Sequence, residues 1–247
     1  MNLLLPGNTV FVFLQLDKKE FRRYFNAQTK RILNFMKKII MFDLDGTLVD
    51  SVGGIANSVN VTREQYGFAP LPEKVIESYT GDGAKKLLER SFADVTLPCS
   101  VDEAVAKMVA NYAADPLYNT RLYPGVAEGL KQLAEAGYLL AVVSNKPQTV
   151  GEKILSGLNV MPLLCDNIGG GRFPLKPAPD AFLYLLDKYG ISKENAWICG
   201  DNHTDINSAN AAGIRSIFCQ YGFGILDNAV PTFHAADFAE LVKTVLS

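Results

Sequence analysis

No two cysteines in this chain stand at a spacing suited to holding a metal or cycling a dithiol. Cys99, Cys165, Cys199 and Cys219 are far apart, and none forms a Cys-x-x-Cys pair. Cys199 and Cys219 lie in apolar runs, where a buried free thiol is expected, so a reducing, cytoplasmic setting is expected too. A basic field is also missing. The 247 residues carry a formal charge of −2, and the aromatics are not interleaved with basic runs, which argues against a nucleic-acid partner. The apolar stretch 10–16 is far short of the about 20 residues a membrane-spanning helix needs, so no membrane partner is expected. Histidine is scarce, with only His203 and His234. His203 stands among oxygen ligands and reads as a loop residue; His234 has no polar cluster around it and reads as structural or exposed. Internal repeats and low-complexity tracts are absent.

What remains is an ordinary globular composition, 48% hydrophobic and 20% charged, enough for one sizeable α/β core and a smaller inserted unit. Residues 1–35 differ from the rest. They hold six basic and two acidic residues, a net of +4, which leaves −6 over residues 36–247. Their positive charges follow the apolar stretch, the reverse of a secretory signal. They read as an N-terminal extension outside the catalytic fold, with a targeting peptide or an added docking helix as alternatives. Met36 then opens "MKKIIMFDLDG", a natural beginning for a first strand.

The continuous apolar run at 37–42 suits a strand buried on both faces. Helical periodicity follows at 52–66, 72–79, 83–92 and 101–114, with no convincing strand before 120. From "LYPGV" onward the pattern alternates: helix 126–136 with Gly137 as its left-handed cap, strand 138–143, helix 149–158, strand 163–168, helix 179–189, strand 196–199, helix 205–212, strand 215–219 and helix 238–246. This predicts an α/β, doubly wound, Rossmann-like parallel sheet. Residues 36–51 and 121–247 form its core, and an all-helical cap domain, 52–120, is inserted after the first strand.

Polar clusters follow the strands. Asp43 and Asp45 follow the first, Ser144 and Asn145 the second, and Asp201 the fourth, with Asp205 four residues on; a glycine-rich stretch after the third leads to Lys176. In open α/β sheets, ligands bind beyond the carboxyl ends of strands, so these groups can share one pocket. Residues two apart on a strand point the same way, which lets Asp43 and Asp45 converge. With Asp201 they would make three carboxylates, a set that forces protonation unless a cation binds. Magnesium, small and oxygen-seeking, fits, and Lys176 adds a second positive charge.

Together "DLDGT" (43–47), "SN" (144–145), "KP" (176–177) and "GDNHTD" (200–205) resemble the four motifs of the haloacid dehalogenase-like hydrolases, over residues 36 to about 245. The phrases "LVDS", "YPGV", "VVSNKP" and "LKPAPD" are similar to the phosphoglycolate phosphatase group. The resemblance implies a magnesium-dependent phosphatase acting on a small phosphorylated metabolite, 2-phosphoglycolate, through an aspartyl-phosphate. Asp43 would be the nucleophile and Asp45 the general acid and base. Ser144 would donate to a phosphoryl oxygen, and Lys176 would neutralise charge on the phosphoryl group and on Asp43. Asp43, the backbone carbonyl of Asp45 and Asp201 would hold the metal, with Asp205 behind them orienting its waters or Lys176. Gly46 and Thr47 would lie at the phosphate, Gly46 permitting a close backbone approach; Asn145 would bind phosphate or simply form a turn. An acid at position 45 argues for phosphoryl transfer over attack on carbon.

The insertion, hinged near 51–54 and 122–125, would close over this pocket. Its Gly-Asp-Gly turn at 81–83 would aim backbone N–H groups at a substrate anion, with Gly81 in contact and Lys85 or Arg90 adding charge; a plain helix start with a solvated basic face is the alternative. A sugar-phosphate mutase or pyrophosphatase on the same scaffold, and more remotely a non-catalytic phosphate-binding module, remain as rival functions. The expected assembly is a monomer or homodimer.

Overall fold

The structure, a computed structural model, describes residues 37–247. The extension expected at 1–35 lies outside the described residues. Strand β1 (Lys38–Phe42) follows an exposed residue at its start with four wholly buried ones. Its alternation divides the core in two. Ile40 and Phe42 point into one hydrophobic cluster and Ile39 and Met41 into another, so both faces of the strand are covered.

The chain then passes through β2 (Val49–Asp50) into four helices, α1 (Val52–Gln65), α2 (Glu73–Glu77), α3 (Ala84–Ser91) and α4 (Val101–Ala114). Return is by β3 (Arg121–Leu122), which pairs antiparallel with β2, so entry and exit of the insertion lie side by side. Beyond it come α5 (Val126–Glu135), β4 (Tyr138–Pro147), α6 (Gln148–Gly157), β5 (Asp166–Gly170), α7 (Asp180–Tyr189), β6 (Ala196–Gly200), α8 (His203–Ala212), β7 (Arg215–Cys219), β8 (Phe233–Ala235) and α9 (Phe238–Leu246). The large sheet runs β5-β4-β1-β6-β7-β8, parallel throughout. Helices α5, α6 and α9 cover the Phe42 face through Leu130, Ile154 and Phe238, and α7 and α8 cover the Met41 face through Phe182 and Ala209. This is the doubly wound arrangement the sequence predicts. The chain fills one side of β1 with β4 and β5, then crosses to β6 on the other. The carboxyl ends of β1, β4 and β6 therefore border the point where strand order reverses, the position at which such sheets bind ligands.

Several local expectations need correction. Strand β4 continues through Ser144, Asn145 and Lys146 to Pro147, with its register to β5 shifted after Val143. An apolar run does not mark this end because its buried residues are polar. The third core strand lies at Asp166–Gly170, after a 3₁₀ turn at Met161–Leu163. Strand β8 was not expected: it is short, at the sheet edge, and exposes Phe233 and His234. His203 is the first residue of α8 rather than part of a loop, because Asn202 caps that helix through the Thr204 N–H. Cys199 and Cys219 are buried and free, as expected.

Within the insertion, α1 packs on α2 and α4, and α4 also packs on α3 and on α6 of the core. Ser100 and Glu103 cap α4 reciprocally. A buried arginine ties the loops together. Arg63 Nε donates to the Ala69 carbonyl at 2.6 Å, its guanidinium donates to the Ser91 carbonyl, and both terminal nitrogens reach Asp94 at 2.9 Å. Replacing Arg63 with Met would orphan the buried Ser91 carbonyl and strip Ala69 and Asp94 of a partner. We expect a stability loss of about 2–4 kcal/mol in urea unfolding; a loss below about 1 kcal/mol would mean that water takes the guanidinium's place.

Candidate active site

Asp43 leaves the end of β1 with its N–H donated to the Cys199 carbonyl of β6, which fixes its direction. Its carboxylate meets two others: oxygens of Asp43, Asp201 and Asp205 lie within 4.8 Å of one another. Lys176 Nζ sits 2.8 Å from Asp43 Oδ1 and 2.6 Å from Asp205 Oδ1, and donates to the Val143 carbonyl at 3.0 Å. The Asp43 contact is close enough to pair charge, but Oδ1 is buried with no hydrogen bond of good geometry.

The electrostatics follow from that count. Three carboxylates face one ammonium, all but Asp43 deeply buried. Burial raises the Asp201 carboxyl well above the ordinary range, and the charges on Asp43 and Asp205 add to the effect. Asp205 is pushed up to about 6, by burial first and Asp43 next, although Lys176 opposes the shift. Burial works against the Lys176 ammonium, yet Asp205 and Asp43 outweigh it and its pKa rises. An ion pair ordinarily lowers its acid, but at Asp205 burial outweighs the pull of Lys176. The donor set is all oxygen, one from each of three carboxylates and all within 4.8 Å of one another, which fits a hard divalent cation such as magnesium. Both Asp205 oxygens are engaged, by Lys176 and by the Asn202 N–H at 3.1 Å. Asp201 is held by one N–H, that of Gly224, at 2.7 Å from Oδ2.

Asp45 turns away from this cluster. Ser51 Oγ donates to its Oδ1 at 2.5 Å, and Lys146 Nζ lies 2.9 and 3.2 Å from its two oxygens. Lys146 also donates to the Tyr112 hydroxyl at 2.9 Å, so a core strand, the turn after β1 and insertion helix α4 meet at one ammonium. Neither Lys146 nor Tyr112 was marked by the sequence. Tyr112 has the helical phase of a core residue. Lys146 stands two residues from Ser144, a parity that counts only once β4 is known to continue.

A cavity of about 720 Å³, its open mouth included, joins these groups. Asp43, Asp45, Ser144, Asn145 and Asp201 line it from the core, and Gly81, Leu87, Met108 and Tyr112 from the insertion. Lys176 lies behind it.

Lys85, Arg90 and Thr47 do not line this cavity. Lys85 is exposed and pairs with Asp102 at 2.8 Å; Ala84 and Leu87 take the cavity face of α3, and Lys85 is turned off that face. Arg90, the other basic residue considered, pairs with Asp82 and donates to the Tyr79 carbonyl. Thr47 is wholly buried and lines no part of the cavity. Asn145 neither forms its own turn nor offers a free amide: Nδ2 donates to the Gly81 and Lys176 carbonyls, and Oδ1 accepts the Lys176 N–H at 2.8 Å. Gly46 turns the chain at φ +78°, and a Cβ there would collide with the Asp201 carboxylate. Gly81, at φ +104°, does line the cavity, but through a carbonyl turned to Asn145.

Comparison with known proteins agrees with this geometry. The family model described as haloacid dehalogenase-like hydrolase matches residues 40–219. A phosphoglycolate phosphatase of Rhodospirillum rubrum is 36% identical over 196 residues, 76% of this chain and 81% of that protein. One from Mannheimia succiniciproducens is 34% identical over 224 residues, 86% of this chain and the whole of its own length. Among solved structures, a predicted phosphoglycolate phosphatase from Haemophilus somnus superposes with a TM-score of 0.79 at 31% identity, covering 84% of this chain and 97% of that one. The chain therefore belongs to the haloacid dehalogenase-like hydrolases, and within them it groups with relatives named phosphoglycolate phosphatase.

Proposed function

We propose that this hydrolase is a magnesium-dependent phosphatase of small phosphomonoesters that acts through a phosphorylated Asp43, with 2-phosphoglycolate as its substrate. The observation that carries the reading is the placement of Asp43: its carboxylate faces the cavity, is paired with Lys176, and stands beside the oxygen cluster while Asp45 stands two residues on with its own donors. The names of the relatives support the choice of substrate.

In the first step an Asp43 oxygen attacks phosphorus as the bond to the leaving alcohol breaks, and Asp45 gives that alcohol its proton. In the second, Asp45 takes a proton from a water that attacks the aspartyl-phosphate, and inorganic phosphate departs. Ser144 donates to a phosphoryl oxygen. Lys176 opposes the charge that spreads over the equatorial oxygens, and Asp205 positions it. Asp43, the Asp45 carbonyl and Asp201 would hold magnesium, which supplies the positive charge that the cluster and the phosphoryl group lack. The helical insertion acts as a cap, excluding bulk water during transfer to Asp43 and leaving room for the one attacking water after the alcohol departs. No helix among the described residues is long and apolar enough to cross a membrane.

Three outcomes test this. Asp43→Asn should lose at least about 10⁴-fold in kcat with its circular dichroism unchanged; retained turnover would remove the nucleophile from the scheme. Asp45→Asn should slow 2-phosphoglycolate by about 10²–10⁴-fold but p-nitrophenyl phosphate much less in a phosphorylation burst, because nitrophenolate needs no proton to leave; equal burst losses would argue against an acid role. Chelation should abolish turnover and added magnesium restore it. Activity indifferent to chelator would exclude the metal reading, and a panel in which other metabolites far outrank 2-phosphoglycolate would exclude that substrate alone.

A further inference from the structure

Among the described residues that line the cavity, Lys146 is the one basic side chain. Its ammonium is buried, its side chain only 4% exposed, and the surrounding wall is largely apolar: Ile55, Leu87, Met108, Val109 and Val150. An ammonium carries three N–H donors. Asp45 lies in one direction, where its two oxygens can share a donor, and the Tyr112 hydroxyl lies in another, which leaves a donor for a third partner.

We propose that Lys146, seated by Tyr112, selects the substrate by binding a carboxylate on the leaving alcohol two bonds from the ester oxygen. The inference rests on the phosphatase reading above and adds the group that recognises the acid. Distance limits the acid's length. If Asp45 Oδ2 gives the leaving oxygen its proton across a hydrogen bond of about 2.7 Å, then Nζ, at 3.2 Å from that atom, lies no more than about 6 Å from the leaving oxygen. In a two-carbon hydroxy acid, the ester and carboxylate oxygens are about 3 Å apart, and a charge-assisted hydrogen bond of about 2.8 Å completes the span. An anion several carbons farther on would overshoot. The apolar walls also offer few partners for the hydroxyls of a sugar, and a buried hydroxyl without a partner costs about 1–3 kcal/mol.

The immediate surroundings keep Lys146 charged. Burial works against its ammonium, but Asp45 and Tyr112 prevail and its pKa is raised. Tyr112 is held protonated, chiefly by burial. Because Tyr112 belongs to α4, the seat is complete only with the insertion packed on the sheet.

The experiment compares kcat/KM for 2-phosphoglycolate and ethyl phosphate, in which a methyl group replaces the carboxylate, in the full chain with magnesium. Wild type should prefer the acid by about 10²-fold, the worth of a charge-assisted hydrogen bond. Lys146→Met should reduce the preference to below about 5-fold, mainly through KM for the acid, and Tyr112→Phe should reduce it by about 3–10-fold. A phosphorylated 4-hydroxybutyrate should gain little over ethyl phosphate. A wild type that does not discriminate overturns the proposal without any variant, which keeps the test decisive if Lys146→Met fails to fold. Equal losses on both esters in a folded Lys146→Met would overturn it as well, leaving Lys146 as a positioning residue for Asp45. Turnover of neither ester by wild type would overturn the 2-phosphoglycolate assignment and this inference with it.

Discussion

Lys176 faces more negative charge than it can balance, and much of the surrounding structure follows from that. Ionised together, Asp43, Asp201 and Asp205 against one ammonium leave two negative charges in a site largely shut from water. Such a surplus is tolerable if protons remain bound or a dication enters. The backbone is shaped around the same carboxylates. A side chain at Gly46, Gly222 or Gly224 would collide with Asp201, and one at Gly200 with Asp205. Small residues thus let loops from two strands close tightly on the acids.

Sheet order makes that gathering possible. Asp43 and Asp201 are 158 positions apart, yet they leave neighbouring parallel strands. Alternation along β1 buries Ile39 and Met41 on one side and Ile40 and Phe42 on the other, so the strand is fixed from both faces and its end is rigid. The three-carboxylate cluster and Asp45 are served by different lysines, Lys176 and Lys146, both buried. Two residues along the chain from Asp43 to Asp45 therefore separate two electrostatic environments.

Much of this was legible in the sequence because it rests on local spacing and strand ends. Asp43 and Asp45 declare themselves by their two-residue separation after an apolar run, and Lys176 and Asp201 by their positions after glycine-rich or apolar stretches. Other features depend on contacts that no local pattern carries. Lys146 was hidden because β4 stays extended through polar residues. Tyr112 repeats with helical period and looks like any buried aromatic. Lys85 invited a functional reading through its neighbours in the Gly-Asp-Gly turn, but helix phase decides which side chains face inward, and Ala84 and Leu87 take that face. Strand β8 escaped notice because an edge strand of three residues needs no apolar run.

Asn145 joins parts that would otherwise be independent. One amide grips the backbone of Lys176 through both its N–H and its carbonyl and, with its remaining hydrogen, the Gly81 carbonyl of the insertion. Any excursion that carries Gly81 outward strips this side chain of a partner and frees the rivet that steadies the lysine's main chain. Ajar and shut states of the molecule would then differ in how firmly its central cation is aimed, even though among the described residues its polar partners, Val143, Asp43 and Asp205, all lie outside the insertion.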